Sequence, residues 1–200
     1  MKAVITGDII NSQSIQPEIW HHALREVFGE ENEQVWEIYR GDEFQLLLER
    51  AEDSFSKAIE IKSRIRNIHG LDVRLSIGLG AQDFQAAKVT QSNGSAFVNS
   101  GRNFERIKAE KLNLSISSDH QDFDEMMNLT FKWMSVSLDS WSVVSAEIVH
   151  IFIRDSAQNQ EQVAQQLNIS QSSVSQRLKR ANYDLIAETD KFFRKRIAQL

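Results

Sequence analysis

The spacing of apolar residues changes several times along the chain, and each change predicts an element. Ala3 to Thr6 is a short apolar run of strand length. Pro17 to Phe28 reads as a helix, because proline is tolerated in a first turn and Gly29 stands where a C-terminal cap is needed. Val35 to Arg40 and Glu43 to Glu49 are rich in aromatic and branched residues and flank Gly41-Asp42, which predicts a hairpin. Ala58, Ile59, Ile61, Ile65 and Ile68 recur at helical spacing as far as Gly70. Val73, Leu75, Ile77 and Leu79 then alternate, predicting a strand with one buried face. A further helix (about Asn99 to Lys111), a strand (Leu112 to Ser117) and an amphipathic helix (Phe123 to about Trp133) follow, before a boundary near Leu138 to Trp141.

The first six elements run β-α-β-β-α-β, the order of the ferredoxin-like or split βαβ sheet with helices on one face. The expected fold is α+β: a ferredoxin-like sheet with helices over residues 1–138, then an all-α helix-turn-helix domain over 139–200. The sheet order implies no chemistry by itself, since that arrangement carries many unrelated functions.

The last segment is more specific. In QEQVAQQLNISQSSVSQRLKRA, from Gln160, the residues Val163, Ala164 and Leu167 give a first helix an apolar face. Its small alanine lies where a second helix approaches. Asn168 tolerates a left-handed turn and Ser170 suits an N-cap. A buried stripe of Val174, Leu178, Ala181 and Leu185 is predicted for the second helix. On the opposite face, Gln171, Ser172, Ser173 and Gln176 sit at the end that enters a major groove, positioned to read bases, and Arg177, Lys179 and Arg180 are positioned to hold phosphates. Val144, Ile148, Val149, Ile151 and Phe152 predict a supporting helix. The bland alternative is a solvated basic helix or a protein-docking module.

Charge sharpens this picture. The 200 residues carry a net charge of −5, but residues 156–200 hold seven Lys+Arg against four Asp+Glu, leaving an acidic body with a basic tail. That split points to double-stranded DNA as a partner for the tail. A lone helix-turn-helix gains affinity by reading two half-sites about one helical turn apart, so a homodimer is expected, with the helix around Met126, Met127, Phe131 and Trp133 as its candidate contact or, equally, as core. The chain has no cysteine, which excludes disulfides and thiolate chemistry, and its five histidines show no metal-ligand spacing. No apolar run reaches the length of a membrane span, and Asp8 comes too early for a signal peptide, so the expected location is cytoplasmic, with no membrane partner.

Two acidic positions stand out in the first half: Asp8 in ITGDIINS and Asp42-Glu43 in YRGDEFQLLL. In a split βαβ sheet the first strand lies beside the hairpin, so these carboxylates approach one point, as oxygen ligands for a divalent metal on a triphosphate must. Here the sequence resembles the nucleotidyl-cyclase superfamily, both class III cyclases and GGDEF domains. Arg40 to Phe44 resembles the GGDEF hairpin, LSIGLG (Leu75 to Gly80) the strand after the next helix, and GSAFVNSGRNFERI (Gly94 to Ile107) a segment in which Val-Asn precedes an arginine. The resemblance implies that Asp8, Asp42, Glu43 and Asn99 bind Mg2+ with a purine nucleotide. It departs where Arg40 replaces a glycine, where Asn103 replaces the arginine, with Arg102 one residue early, and where no lysine precedes Gly41-Asp42 at the purine-recognition spacing. These departures imply a degenerate site with no assignable catalytic residue. Local readings stay open: Asp8 as a loop cap and Gly41-Asp42 as a simple turn.

Taken end to end, the chain resembles the SatD family, small bacterial proteins that pair a cyclase-like domain with a helix-turn-helix. That resemblance implies a regulatory role without supplying a reaction. Three functions follow as expectations: a DNA-binding transcriptional regulator whose N-terminal domain dimerises or senses a nucleotide, an active nucleotidyl cyclase-type enzyme, and an adaptor that binds no DNA.

Overall fold

The computed structural model describes residues 1–29 and 32–200. The chain is α+β, with a five-stranded sheet and, among the described residues, eight α-helices. Strand β1 (Lys2–Ile10) runs further than its apolar run predicts. Gly7 allows this: a Cβ there would lie 2.5 Å from the Phe44 ring and 2.8 Å from the Arg74 carbonyl oxygen. Helix α1 (Pro17–Phe28) buries Trp20, Ala23, Leu24 and Val27 and ends on Gly29 at φ 87°, whose N–H bonds to the Arg25 carbonyl. Strands β2 (Trp36–Ile38) and β3 (Glu43–Leu48) form the expected hairpin, with Arg40 and Gly41 both at positive φ.

Helix α2 (Ser54–Arg66), β4 (Asp72–Gly80), α3 (Ser95–Glu110), β5 (Leu114–Ser117) and α4 (Gln121–Leu138) complete the first part. Four helices follow: α5 (Val143–Arg154), α6 (Gln160–Leu167), α7 (Gln171–Arg180) and α8 (Tyr183–Ile197). The sheet order is β2-β3-β1-β4-β5, antiparallel throughout except for the parallel β4–β5 pair.

The sheet has helices on both faces, not one as expected. Ala3, Ile5, Ile9, Val73, Leu75 and Ile77 face the main core with α1 and α2. On the other face, α3 lies against β1 and β4 through Val4, Ala96, Phe97 and Ser100. The alternation in LSIGLG concealed this second face, because Ser76 and Gly78 look solvent-facing by type. Their small size is what admits the α3 backbone: a Cβ on Gly78 would lie 2.6 Å from the Ser100 Cα.

The apolar core continues across 138/139. Phe193 of α8 packs at 5.8 Å from Phe55 and 6.0 Å from Phe123, and α5 packs along α2. Polar contacts reinforce that junction. The buried Lys62 ammonium meets Asp72 at 2.9 Å and Asp139 at 2.7 Å, Arg66 donates to the Trp141 carbonyl, and the Trp141 indole donates to the Ala181 carbonyl at 3.1 Å.

Candidate functional site

Helix α6 opens on a capping box: the Asn159 side chain accepts the Gln162 N–H, and the Gln162 side chain accepts the Asn159 N–H, each at 2.9 Å. Asn168 turns the chain in the left-handed conformation (φ 52°, ψ 47°), and the Ser170 hydroxyl accepts the Ser173 N–H to start α7. Val163 and Ala164 of α6 pack with Val174 and Ala181, over Ile148 and Val149 of α5. The exposed residues of α7 are then Gln171, Ser172, Ser175, Gln176, Lys179 and Arg180. Their spacing, i, i+1, i+4, i+5, i+8 and i+9, makes one continuous polar face.

Four residues read from the sequence (Ser172, Gln176, Lys179 and Arg180) stand on that face with no hydrogen bond or ion pair to another helix or strand among the described residues, although the Ser172 hydroxyl lies 2.9 Å from that of Ser170 in the cap. Gln171 also stands there, with its amide donating to Gln160 at 2.9 Å. Ser173 is half-buried, its hydroxyl 2.8 Å from that of Ser170 in the cap. Arg177, expected to hold a phosphate, pairs with Glu147 of α5 at 3.0 Å, so its charge already has a partner inside the protein. Ser175 was missed, since a serine between a valine and a glutamine carries no signal until the face is known. Leu185 leaves the predicted buried stripe: Asn182, at φ 54°, breaks the helix after Arg180, and Leu185 is 59% exposed.

The acidic constellation forms on the sheet. Asp8 lies opposite Glu43 on β3 and Arg74 on β4. The Arg74 Nη1 donates to both Asp8 carboxylate oxygens, at 2.8 and 3.1 Å. Glu43 pairs with Lys108 of α3, whose ammonium also lies 4.3 Å from the Phe104 ring centroid. Asp42 accepts a hydrogen bond from the Ser12 hydroxyl. Asp8 and Asp42 line one cleft of about 710 Å³ with Asn11, Ser12, Gly70 and Arg74, and Glu43 lies outside that lining. Burial raises the Asp8 pKa above its ordinary value; Arg74 and Lys108 oppose the rise, and Asp42 and Glu43 add to it. Arg74 and Lys108 therefore already supply the charge relief that the paired carboxylates require. Among the described residues, no three histidine, aspartate or glutamate side chains gather as a metal site.

Asn99 is not in this cleft. Its amide donates to the Leu79 carbonyl at 2.9 Å, and Leu79 lies about 16 Å along β4 from Arg74 at ~3.3 Å per residue. Asn103 is buried, donating to the Ser76 hydroxyl at 2.8 Å and accepting from Arg106 at 2.6 Å. It belongs to a hydrogen-bonded chain behind the sheet that joins Thr6, Ser100, Ser76, Asn103, Ser115 and Asn128. Such a chain satisfies polar groups that burial would otherwise penalise.

The model of the SatD family matches residues 2–195. The chain belongs to the SatD family. That match takes in both the sheet and the helices that follow it, as far as Lys195 of α8. No curated protein and no solved structure matches this SatD-family chain. Among its described residues, no helix is long and apolar enough to cross a membrane.

Proposed function

We propose that this SatD-family chain is a DNA-binding transcriptional regulator that reads double-stranded DNA with α7. The observation that carries the proposal is the continuous exposed face of α7, with Ser172 and Gln176 toward its start and Lys179 and Arg180 at its end. A capped helix and a left-handed turn hold that face out, as a groove-reading helix requires. The strand order β2-β3-β1-β4 supports a ferredoxin-like, cyclase-like reading of residues 1–138.

The full chain is the unit to assay, since α5 and α8 pack on the first part. Replacing Lys179 and Arg180 together with alanine is expected to weaken binding to every duplex and to reduce the salt slope by about 2, roughly one per lost phosphate contact. Gln176→Ala is expected to change sequence preference by ~1–3 kcal/mol at one base pair. Titrations at several salt concentrations check both. A double variant with wild-type affinity and slope would leave the adaptor reading in its place.

A second reading concerns the Asp8 cleft: it senses a purine nucleotide with Mg2+. Two carboxylates and the Ser12 hydroxyl lining one cleft favour it. These hard oxygens fit Mg2+ provided Arg74 lets go of Asp8. When bound, the ion would supply positive charge between the carboxylates and the nucleotide phosphates. Arg74, whose buried Nε has no hydrogen-bond partner among the described residues, would then turn its guanidinium to a phosphate. Turnover is expected to be absent, because Asn103 is neutral and bound to Ser76 and Arg106.

Mg2+ with a purine triphosphate at about 100 times its dissociation constant should add ~2.7 kcal/mol, a rise of roughly 5–10 °C in melting temperature. Asp8→Asn and Asp42→Asn should abolish the rise. Product formation would replace sensing with enzyme activity, and no rise with any purine triphosphate would leave Asp8 as the ion-pair partner of Arg74.

A further inference from the structure

Helices α4 and α8 leave a groove of about 770 Å³ between them. Trp133 is 75% exposed and Val136 73% on the α4 wall; Leu185 is 59% and Phe192 41% on the α8 wall, and Leu129 extends the α4 stripe at 60%. Met127 and Phe131, open to either a dimer contact or the core by sequence, are fully buried in the core. The groove walls are tied together where the Asn182 amide donates to the Ser137 hydroxyl at 2.9 Å.

The five exposed side chains present on the order of 500 Å² of apolar surface, toward the upper end of the largest patch a typical monomer leaves, which is often a functional one. A standard interface covers roughly 800 Å² per partner, so this patch with a polar rim is of the size a stable dimer needs.

We infer that the groove is the interface between two copies of this chain, related by a two-fold axis, with α4 of each lying along α8 of the other. The two helices are matched for this. Trp133 and Val136 line the groove on α4, and Leu129 and Lys132 continue their stripe at its rim, giving i, i+3, i+4 and i+7; on α8, Leu185, Glu188, Thr189 and Phe192 line the groove at the same spacing. Each stripe has apolar ends and a charge at its second position, of opposite sign. Neither Lys132 nor Glu188 has an ion-pair partner among the described residues. Laying α4 of one copy along α8 of the other brings Lys132 to the partner's Glu188, and the two-fold axis repeats the pair, as a self-complementary contact demands. A small apolar ligand would leave both charges unmatched. No residue of α7 lines the groove, so its polar face stays open in the dimer.

Sedimentation velocity of the full chain without DNA tests the interface, and so fails or succeeds independently of the DNA-binding reading. Wild type is expected to be dimeric at micromolar concentration. Trp133→Asp, at an exposed position, should keep the wild-type circular dichroism and melting profile while raising the dimer dissociation constant at least about 30-fold. Lys132→Glu and Glu188→Lys should each weaken the dimer, and the two reversals combined should restore it. A wild-type monomer, or a dimer indifferent to Trp133→Asp, overturns the interface, and a double reversal that restores nothing overturns the two-fold arrangement.

Discussion

Lys62→Met is expected to lose about 3–5 kcal/mol of stability, the usual penalty for breaking a buried ion pair by removing one partner. Lys62 is 1% exposed and stands between Asp72 and Asp139, at 2.9 and 2.7 Å. Removing the ammonium leaves the Asp72 carboxylate, 13% exposed, with the neutral Val73 N–H at 2.8 Å and the more distant Arg66 charge at 3.5 Å. The methionine fills the same volume, so the loss measures charge and not a cavity. For a chain of this length each kcal/mol corresponds to ~2–4 °C, so the melting temperature should fall by roughly 6–20 °C. Asp72→Asn in the same chain should recover part of the loss, because it removes the uncompensated charge. Urea and thermal unfolding of the single and double variants check the cycle. A loss below about 1 kcal/mol would mean that water screens the triad as it screens a surface pair.

Gly78→Ala is expected to cost about 3 kcal/mol or more, at the upper end of overpacking effects. Its added Cβ would lie 2.6 Å from the Ser100 Cα and closer still to the Ser100 nitrogen and Ala96 oxygen. All three are backbone atoms of α3, so the helix must lift from the sheet as a unit. That movement would also part the hydrogen bonds between Ser76 and Ser100. Gly101→Ala is the control on the same helix, with nothing within 4 Å of its added Cβ. It should be neutral or stabilising by ~0.4–1 kcal/mol, since alanine favours a helix interior. Equal stability of the two variants, by denaturant titration, would refute close packing of α3 on β4.

Several elements were legible because their causes are local. Pro17 and Gly29 mark the ends of α1, and Asn168 and Ser170 mark the turn and start of α7, since a cap is made by residues within one turn of the helix end. The alternation of element types yields only the β-α-β-β-α-β order along the chain, which the first strands and α-helices follow. The second sheet face was not legible, because Ser76 and Gly78 signal solvent by type while serving close packing by size. Leu185 was misplaced for a related reason: its spacing continues the α7 stripe, but one left-handed residue at Asn182 resets the helical phase.

By itself the sequence determined where most helices and strands lie, that the tail is basic, and that the SatD-like motifs belong to one chain. Tertiary structure alone decided which of the charged candidates keep their charge available. Arg177 and Glu147 are 30 residues apart, Arg74 and Asp8 are 66 apart, and Lys62 and Asp139 are 77 apart, yet each pair lies within 3.1 Å. Hydrophobic periodicity reports which face of an element is buried, a property of neighbours a few residues away. Ion pairing depends on which distant elements the fold brings side by side, and a charge already matched by such a neighbour has little left for a phosphate or a metal ion.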